Sequence, residues 1–258
     1  RSTINLNLFF RKFKNNDKFI QSIFNLNYEK RIIDLCIYCK KIDRKLIEKK
    51  YASQLGQFKS ITWFDKYKDI LTHREESIGN FLNLKSDYYF AVDNDFILSN
   101  PNTLFELLSE NKRVISPMMR IKNGPWSNFW YDIKNDGFYN KHPTYYKILM
   151  KKSKGVFNVP YVYGCYLIKR SVFKEHNVSF KGGYHQGPQN YDMAMCKNLR
   201  DNNMFIHTLN KEKYGFIEAE EDSTLVEYDI MKYFEDKEKW AYKYLSSELT
   251  NEGDFIID

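Results

Sequence analysis

The run Tyr88-Tyr89-Phe90-Ala91-Val92-Asp93-Asn94-Asp95 constrains this chain more than any other stretch. An apolar, aromatic-rich segment stops abruptly at two carboxylates one residue apart. A buried strand that delivers acids from its carboxyl end reads this way, and open α/β sheets bind ligands at that edge. Two hard oxygen donors side by side suit a divalent cation such as Mn²⁺ or Mg²⁺. A cation held there would neutralise a diphosphate as it leaves. The competing reading is a strand followed by an acidic turn, since Asp-Asn-Asp is ordinary turn chemistry.

Strand-like and helix-like segments alternate around this run. Residues 3–10, 32–39, 60–64, 88–92 and 114–119 read as strands, and 44–55, 72–84 and about 103–111 as helices. Such alternation implies βαβ units, a largely parallel sheet and right-handed crossovers. The second half is less regular. Residues 124–142 read as a shaped loop dense in Trp, Tyr, Asn and Gly, 159–168 as a strand, and 182–190 as a mobile loop. Residues 191–200 read as a helix, 205–208 as a strand and 228–245 as a terminal amphipathic helix. The reading is one α/β domain over 1–258, with a nucleotide-binding half (1–119) and an acceptor-binding half (120–258).

Hydrophobic residues make up 43% of the 258, which excludes a disordered protein. The net charge of +7 is spread along the chain. It either attracts anionic substrates or marks a solvated, Lys-rich surface. With no basic stripe or recognition motif, nucleic-acid binding is not expected. No stretch approaches the ~20 apolar residues that span a membrane. The chain opens almost directly into a strand, as a domain taken from a longer protein would. Cys36 and Cys39 have C-x-x-C spacing inside a strand-like run, so their side chains point to opposite faces. No second Cys/His pair completes a zinc site, so these two, Cys165 and Cys196 read as buried free thiols.

Sugar transfer from a nucleotide sugar needs a cation on the diphosphate, a positioned hydroxyl and usually a carboxylate near it. Asp93 and Asp95 supply the first, and Asn94 sits between them at the donor. Asp192, opening a helix after a Gly-rich loop, is the candidate carboxylate. Alternatively it only complements the helix dipole. A further metal ligand has two candidates, His207 and Glu212, at the end of the strand near 205–208. In Trp126-Ser127-Asn128-Phe129-Trp130 the rings can stack on sugar faces while Asn128 bonds hydroxyls, or the cluster is a hydrophobic plug. Gly164, inside Tyr161–Tyr166, marks close approach by a donor sugar or a bulge.

Residues 87–245 resemble the glycosyltransferase-like domain of procollagen lysyl hydroxylases and the related collagen glycosyltransferases of family 25. The resemblance rests on Asp87–Asp95, Asn100-Pro101-Asn102-Thr103-Leu104, Trp126–Trp130, Gly155–Tyr161, Asp192–Lys197 and Phe234–Trp240, in that order. Residues 1–86 match only in strand layout. The resemblance implies a GT-A fold, a UDP-sugar donor, Mn²⁺, and hydroxylysine or galactosyl-hydroxylysine of collagen-like chains as acceptor. By position it makes Asp93 and Asp95 the metal-binding pair and Asp192 the acceptor-side acid, and it favours Glu212 over His207. Localisation would be the endoplasmic reticulum lumen if the chain follows eukaryotic relatives, and cytoplasmic in a system lacking that pathway. Relatives often carry an arginine in the helix before the Asp-x-Asp strand. Here Arg74 is displaced along Arg74–Asn80, so the donor phosphate contacts are unassigned. The iron-binding His/Asp elements of a hydroxylase are absent from the sequence.

The implied reaction is glucose transfer from UDP-glucose to galactosyl-hydroxylysine. Galactose transfer from UDP-galactose to hydroxylysine and a catalytically silent accessory domain are the alternatives. Asp192 would be a general base only if the reaction inverts the donor configuration.

Overall fold

Strand β1 (Ile4–Phe9) leads through α1 (Asn16–Phe24) to β2 (Ile33–Tyr38), and α2 (Lys41–Leu55), β3 (Ser60–Phe64), α3 (Ile70–Asn83) and β4 (Tyr88–Asp93) complete a regular first part. Next come β5 (Phe96–Leu98), α4 (Thr103–Ser109), β6 (Val114–Pro117) and β7 (Arg120–Ile121). Three two-residue strands follow, β8 (Phe129–Trp130), β9 (Asp132–Ile133) and β10 (Tyr139–Asn140), then α5 (Pro143–Leu149) and β11 (Val156–Asn158). The chain continues through β12 (Tyr161–Val162), β13 (Cys165–Lys169), α6 (Arg170–Glu175), α7 (Tyr191–Asp201), β14 (His207–Leu209) and β15 (Gly215–Ile217). The structure is a computed structural model and describes residues 1–10, 16–66, 68–122, 126–187, 190–218, 232 and 234–243.

Eight strands form the main sheet in the order β11-β14-β6-β13-β4-β1-β2-β3. The four from β4 to β3 are parallel. β13 runs antiparallel between β4 and β6, and β14 is parallel to β6. The expected mixed, mainly parallel α/β sheet is therefore present. Both faces are covered, which is why β1, β2 and β4 are buried almost throughout. Side-chain alternation sends Ile4, Leu6 and Leu8 into one core, while Phe9, Tyr38, Tyr89 and Ala91 enter the other. Asn5 and Asn7 lie between them at 0% exposure and are bonded internally: Asn7 donates to Asn5 Oδ1 at 2.8 Å, and Asn5 donates to Cys36 Sγ at 3.2 Å. All four cysteines are buried free thiols, with Cys36 and Cys39 in opposite cores. Burial pushes the Cys36 thiol up to about 11.

Three departures from the sequence expectation matter for the site. The strand expected over 159–168 is broken at Gly164, which adopts φ +70°, and its halves β12 and β13 join different sheets. The loop expected over 124–142 contains β8, β9 and β10, with β8 paired to β12 at Trp130↔Tyr161. A second sheet, β5-β15-β7, stands at the carboxyl end of β4, and the sequence reading did not anticipate it. Of the expected terminal helix, 232 and 234–243 are helical and the rest lies outside the described residues, as does Pro188 at the end of the expected mobile loop. Among the described residues no helix is long and apolar enough to cross a membrane.

Candidate active site

The site is built on the last residue of β4. Asp93 N–H donates to Gly164 O at 2.8 Å and Asn94 N–H to Phe9 O at 3.0 Å, so the residue before β13 and the last residue of β1 together fix the turn. The Asn94 side chain then donates to Asn16 Oδ1 at 3.0 Å, tying α1 to the same corner. Asp93 is fully buried and forms an ion pair with Arg74 of α3, which is also fully buried. Arg74 is thus not displaced from the site: α3 delivers it directly onto the first acid of the Asp-x-Asp. Its guanidinium lies 3.9 Å from the Phe9 ring centroid, with the rings of Tyr166, Phe180 and Tyr191 also about it. Burial on its own pushes the Arg74 pKa down, but Asp93, then Tyr166 and Asp192, hold it well above the ordinary value. Arg74 is therefore charged, and the Asp93 carboxyl is the group that offsets the burial of that charge.

Asp192 belongs to this cluster. It opens α7 behind the N-cap Asn190, whose side chain accepts the Met193 N–H at 2.7 Å. The Tyr166 hydroxyl, from the strand beside β4, donates to Asp192 Oδ1 at 3.2 Å. Asp192 is 3% exposed, so it is more than a solvated acid on a helix dipole. The structure brings Asp93 and Asp192 together through Arg74 and Tyr166.

Asp95 has a different neighbour from those expected. β15 pairs antiparallel with β5 in the register Ile217↔Phe96, and Glu218 N–H donates to Asp95 O at 2.8 Å. Residues directly opposite each other share a face, so Glu218 stands across from Asp95. Both are partly exposed, and Lys18 approaches Glu218 at 3.5 Å. Glu212 lies beyond the opposite end of β15, past Tyr214, whose carbonyl binds Ser99 and Asn100 at the far end of β5. Glu212 faces a separate cavity with Arg120, Lys151 and Lys213. His207 is three strands from β4 in the sheet order and its Nδ1 contacts Val114 O at 3.1 Å. Among the described residues no group of three His, Cys, Asp or Glu is arranged to hold a metal. The expected set of Asp93, Asp95 and Glu212 is therefore not assembled. Asp93 is sealed against Arg74, and the turn after β14 points Glu212 elsewhere. Asp95 and Glu218 do fit a small divalent cation that fills its shell with water and phosphate oxygens, because such ions take only one or two protein carboxylates.

The aromatic cluster divides. Trp126 is 57% exposed, and Trp130 is half-buried against Tyr161, with ring centroids 4.5 Å apart. Asn128 is fully buried. It accepts the Met119 N–H at 2.8 Å and donates to Ser116 Oγ at 2.9 Å and Pro117 O at 3.0 Å. Its amide brackets the β6–β7 bend and does not face a sugar. Gly164 is corrected in the same way. A Cβ there would lie 2.1 Å from the Phe96 ring, so the close approach is made by Phe96, with no room for a donor sugar. Sequence reasoning missed Glu218, which directly follows a three-residue strand without periodicity, and Tyr166, which reads as one more apolar strand residue.

The family model for glycosyltransferase family 25, N-terminal domain, matches residues 30–235. The chain belongs to this family. It is a glycosyltransferase domain. Human procollagen-lysine,2-oxoglutarate 5-dioxygenase 2 is 29% identical over 241 residues, covering 90% of this chain and 32% of that protein. A procollagen lysyl hydroxylase and glycosyltransferase of Acanthamoeba polyphaga mimivirus is 35% identical over 187 residues, covering 67% of this chain and 20% of its own length. This chain therefore spans a third or less of the length of these relatives. Solved structures place the fold among GT-A glycosyltransferases. S. aureus TarS 1-349 in complex with UDP-GlcNAc has TM-score 0.53 at 13% identity, covering 92% of this chain and 66% of that one. GalNAc-T7 with UDP, GalNAc and Mn²⁺ has TM-score 0.57 at 11% identity, covering 93% of this chain and 50% of that one.

Proposed function

We propose that this domain transfers glucose from UDP-glucose to galactosyl-hydroxylysine of a collagen-like chain, assisted by Mn²⁺. The observation that carries the reading is the convergence at one sheet edge of a partly exposed pair of acids, Asp95 and Glu218, with the buried Arg74–Asp93–Tyr166–Asp192 set. The collagen-modifying relatives support the acceptor class, and the GT-A neighbours crystallised with UDP support the donor class. Asp95 and Glu218 would hold the cation. When bound, it would neutralise the diphosphate as the sugar departs. Arg74 holds Asp93 in place, which fixes the turn that presents Asp95. Tyr166 orients Asp192 toward the acceptor side, where the carboxylate positions the incoming hydroxyl, or takes its proton if the reaction inverts.

The test is UDP release from UDP-glucose and from UDP-galactose, with and without deglucosylated collagen. The reading predicts acceptor-dependent release with UDP-glucose, reduced at least ~10²-fold in Asp192→Asn, the usual scale for a positioned acid or base. Release with UDP-galactose alone moves the assignment to hydroxylysine galactosylation. Release with neither sugar overturns the reading in favour of an accessory role.

A further inference from the structure

Arg74 has a neighbour on α3 that the sugar-transfer chemistry does not use. The buried stripe of this helix runs through His73, Arg74, Ser77, Ile78 and Phe81, the spacing of one helix face. Glu75 lies at the rim of that stripe and is partly exposed. Its Oε1 accepts two hydrogen bonds from a segment far along the chain, from Ser179 Oγ at 2.9 Å and from Phe180 N–H at 2.5 Å. Hydrogen bonds to a carboxylate are roughly twice as strong as those between neutral groups.

The course of residues 176–180 explains why the tie is needed. Between α6 and α7 the chain leaves regular secondary structure, and Val178 and Phe180 turn inward while Asn177 and Ser179 stay toward the surface. That alternation is the period of an extended chain. Phe180 is 1% exposed, and a backbone donor carried inward with its ring needs an acceptor. Glu75 supplies it. Ser179 Oγ in turn accepts the Lys181 N–H at 3.0 Å, so one carboxylate oxygen fixes three consecutive residues.

What Phe180 covers is the Arg74 guanidinium. Its ring centroid lies 5.7 Å from that group, and the ring of Tyr191, the residue before Asp192, lies 5.4 Å from it. Two consecutive residues of α3 therefore act on one place. Arg74 supplies the charge, and Glu75 holds one of the rings that keep water from it. The attraction of a buried guanidinium for nearby carboxylates falls as the effective dielectric rises. Arg74 feels both Asp93 and Asp192, so a box that admitted water would loosen the start of α7.

We propose that Glu75 is a positioning residue for Asp192: by fixing Phe180 over the Arg74 guanidinium, it shields the charge that orients Asp192 together with Tyr166. The inference deepens the transfer reading and rests on it for its kinetic arm. Hydrogen exchange read by mass spectrometry, UDP affinity and acceptor-dependent UDP release are compared in the natural chain, Glu75→Ala and Glu75→Gln. The last variant keeps an acceptor oxygen. In Glu75→Ala the amides of Phe180 and Lys181, and those of Met193 and Ala194, which Asn190 binds, should exchange at least ~10-fold faster, the response to losing one bonded acceptor. Exchange in β1 and β2 should stay as slow as in the natural chain. UDP release should fall by roughly 10- to 10²-fold, the scale of a small misplacement of a reacting group. UDP affinity should not change, because backbone bonds to Gly164 and Phe9 hold the turn after β4. Glu75→Gln should restore most of the exchange protection and of the release. Unchanged exchange at Met193 and Ala194 overturns the proposal and leaves Glu75 a local tie. Faster exchange through β1 and β2 also overturns it, by assigning Glu75 to the stability of the whole fold. So does a Glu75→Gln variant as impaired as Glu75→Ala, or a loss of UDP affinity, which would place Glu75 on the donor side. Failure of the transfer reading would look different, as absent UDP release in the natural chain, with the exchange result still deciding whether Glu75 is coupled to the start of α7.

Discussion

Asp93 and Arg74 show how one ion pair changes what a motif means. The sequence presents Asp93 and Asp95 as equivalent, and a solvent-facing Asp93 would be replaceable without harm to the fold. The structure separates them: Asp93 is sealed with Arg74, and Asp95 is partly exposed. Removing one partner of a fully buried pair leaves an uncompensated charge and costs about 3–5 kcal/mol. Arg74→Met should therefore destabilise the domain by that order in urea unfolding, and Arg74→Met with Asp93→Asn should recover a large part. Additive losses in the double variant would show that the two residues do not compensate each other. Asn128 and Trp126 diverge similarly. Asn128→Ala leaves the Met119 N–H unsatisfied and should cost about 1–3 kcal/mol. Trp126→Ala should leave stability within about 0.5 kcal/mol, as for other exposed positions. A stable Asn128→Ala variant that loses only turnover would return Asn128 to sugar contact.

The elements most legible in the sequence were the long ones. β1 to β4 and the helices between them carry clear periodicity, and the Asp-x-Asp at the end of β4 declared the functional edge. The sheet β5-β15-β7 was not legible, because strands of two or three residues show no period and their pairing is long-range. That sheet decides that Glu218, and not Glu212, stands opposite Asp95. Gly164 was noticed, but its partner was not, since nothing in sequence links it to Phe96. Gly164→Ala should be strongly destabilising, because the φ of +70° alone costs roughly 1–2 kcal/mol for an L-residue and the new Cβ meets the Phe96 ring. Phe96→Leu in the same chain should relieve the second part only. Comparing melting temperatures of the singles and the double reads that coupling, and strict additivity would mean that the ring is not what excludes the side chain.

At the scale of the whole molecule, one parallel-sheet edge gathers residues from α1, α3, β4, β13, α7 and β15, elements scattered over some two hundred positions. The Asp95–Glu218 pair and the buried ion-pair cluster share the turn after β4, and on the proposed reading they would perform separate tasks: the first would take the cation, while the second fixes the turn. The most direct check is the affinity of UDP, measured by calorimetry with Mn²⁺ and with chelator, in the natural chain and in Glu218→Gln and Glu212→Gln. Mn²⁺ should tighten UDP binding in the natural chain and in Glu212→Gln, and this gain should be lost in Glu218→Gln. Equal UDP affinity with Mn²⁺ and with chelator in the natural chain, or loss of the gain in Glu212→Gln but not in Glu218→Gln, would contradict the site described here.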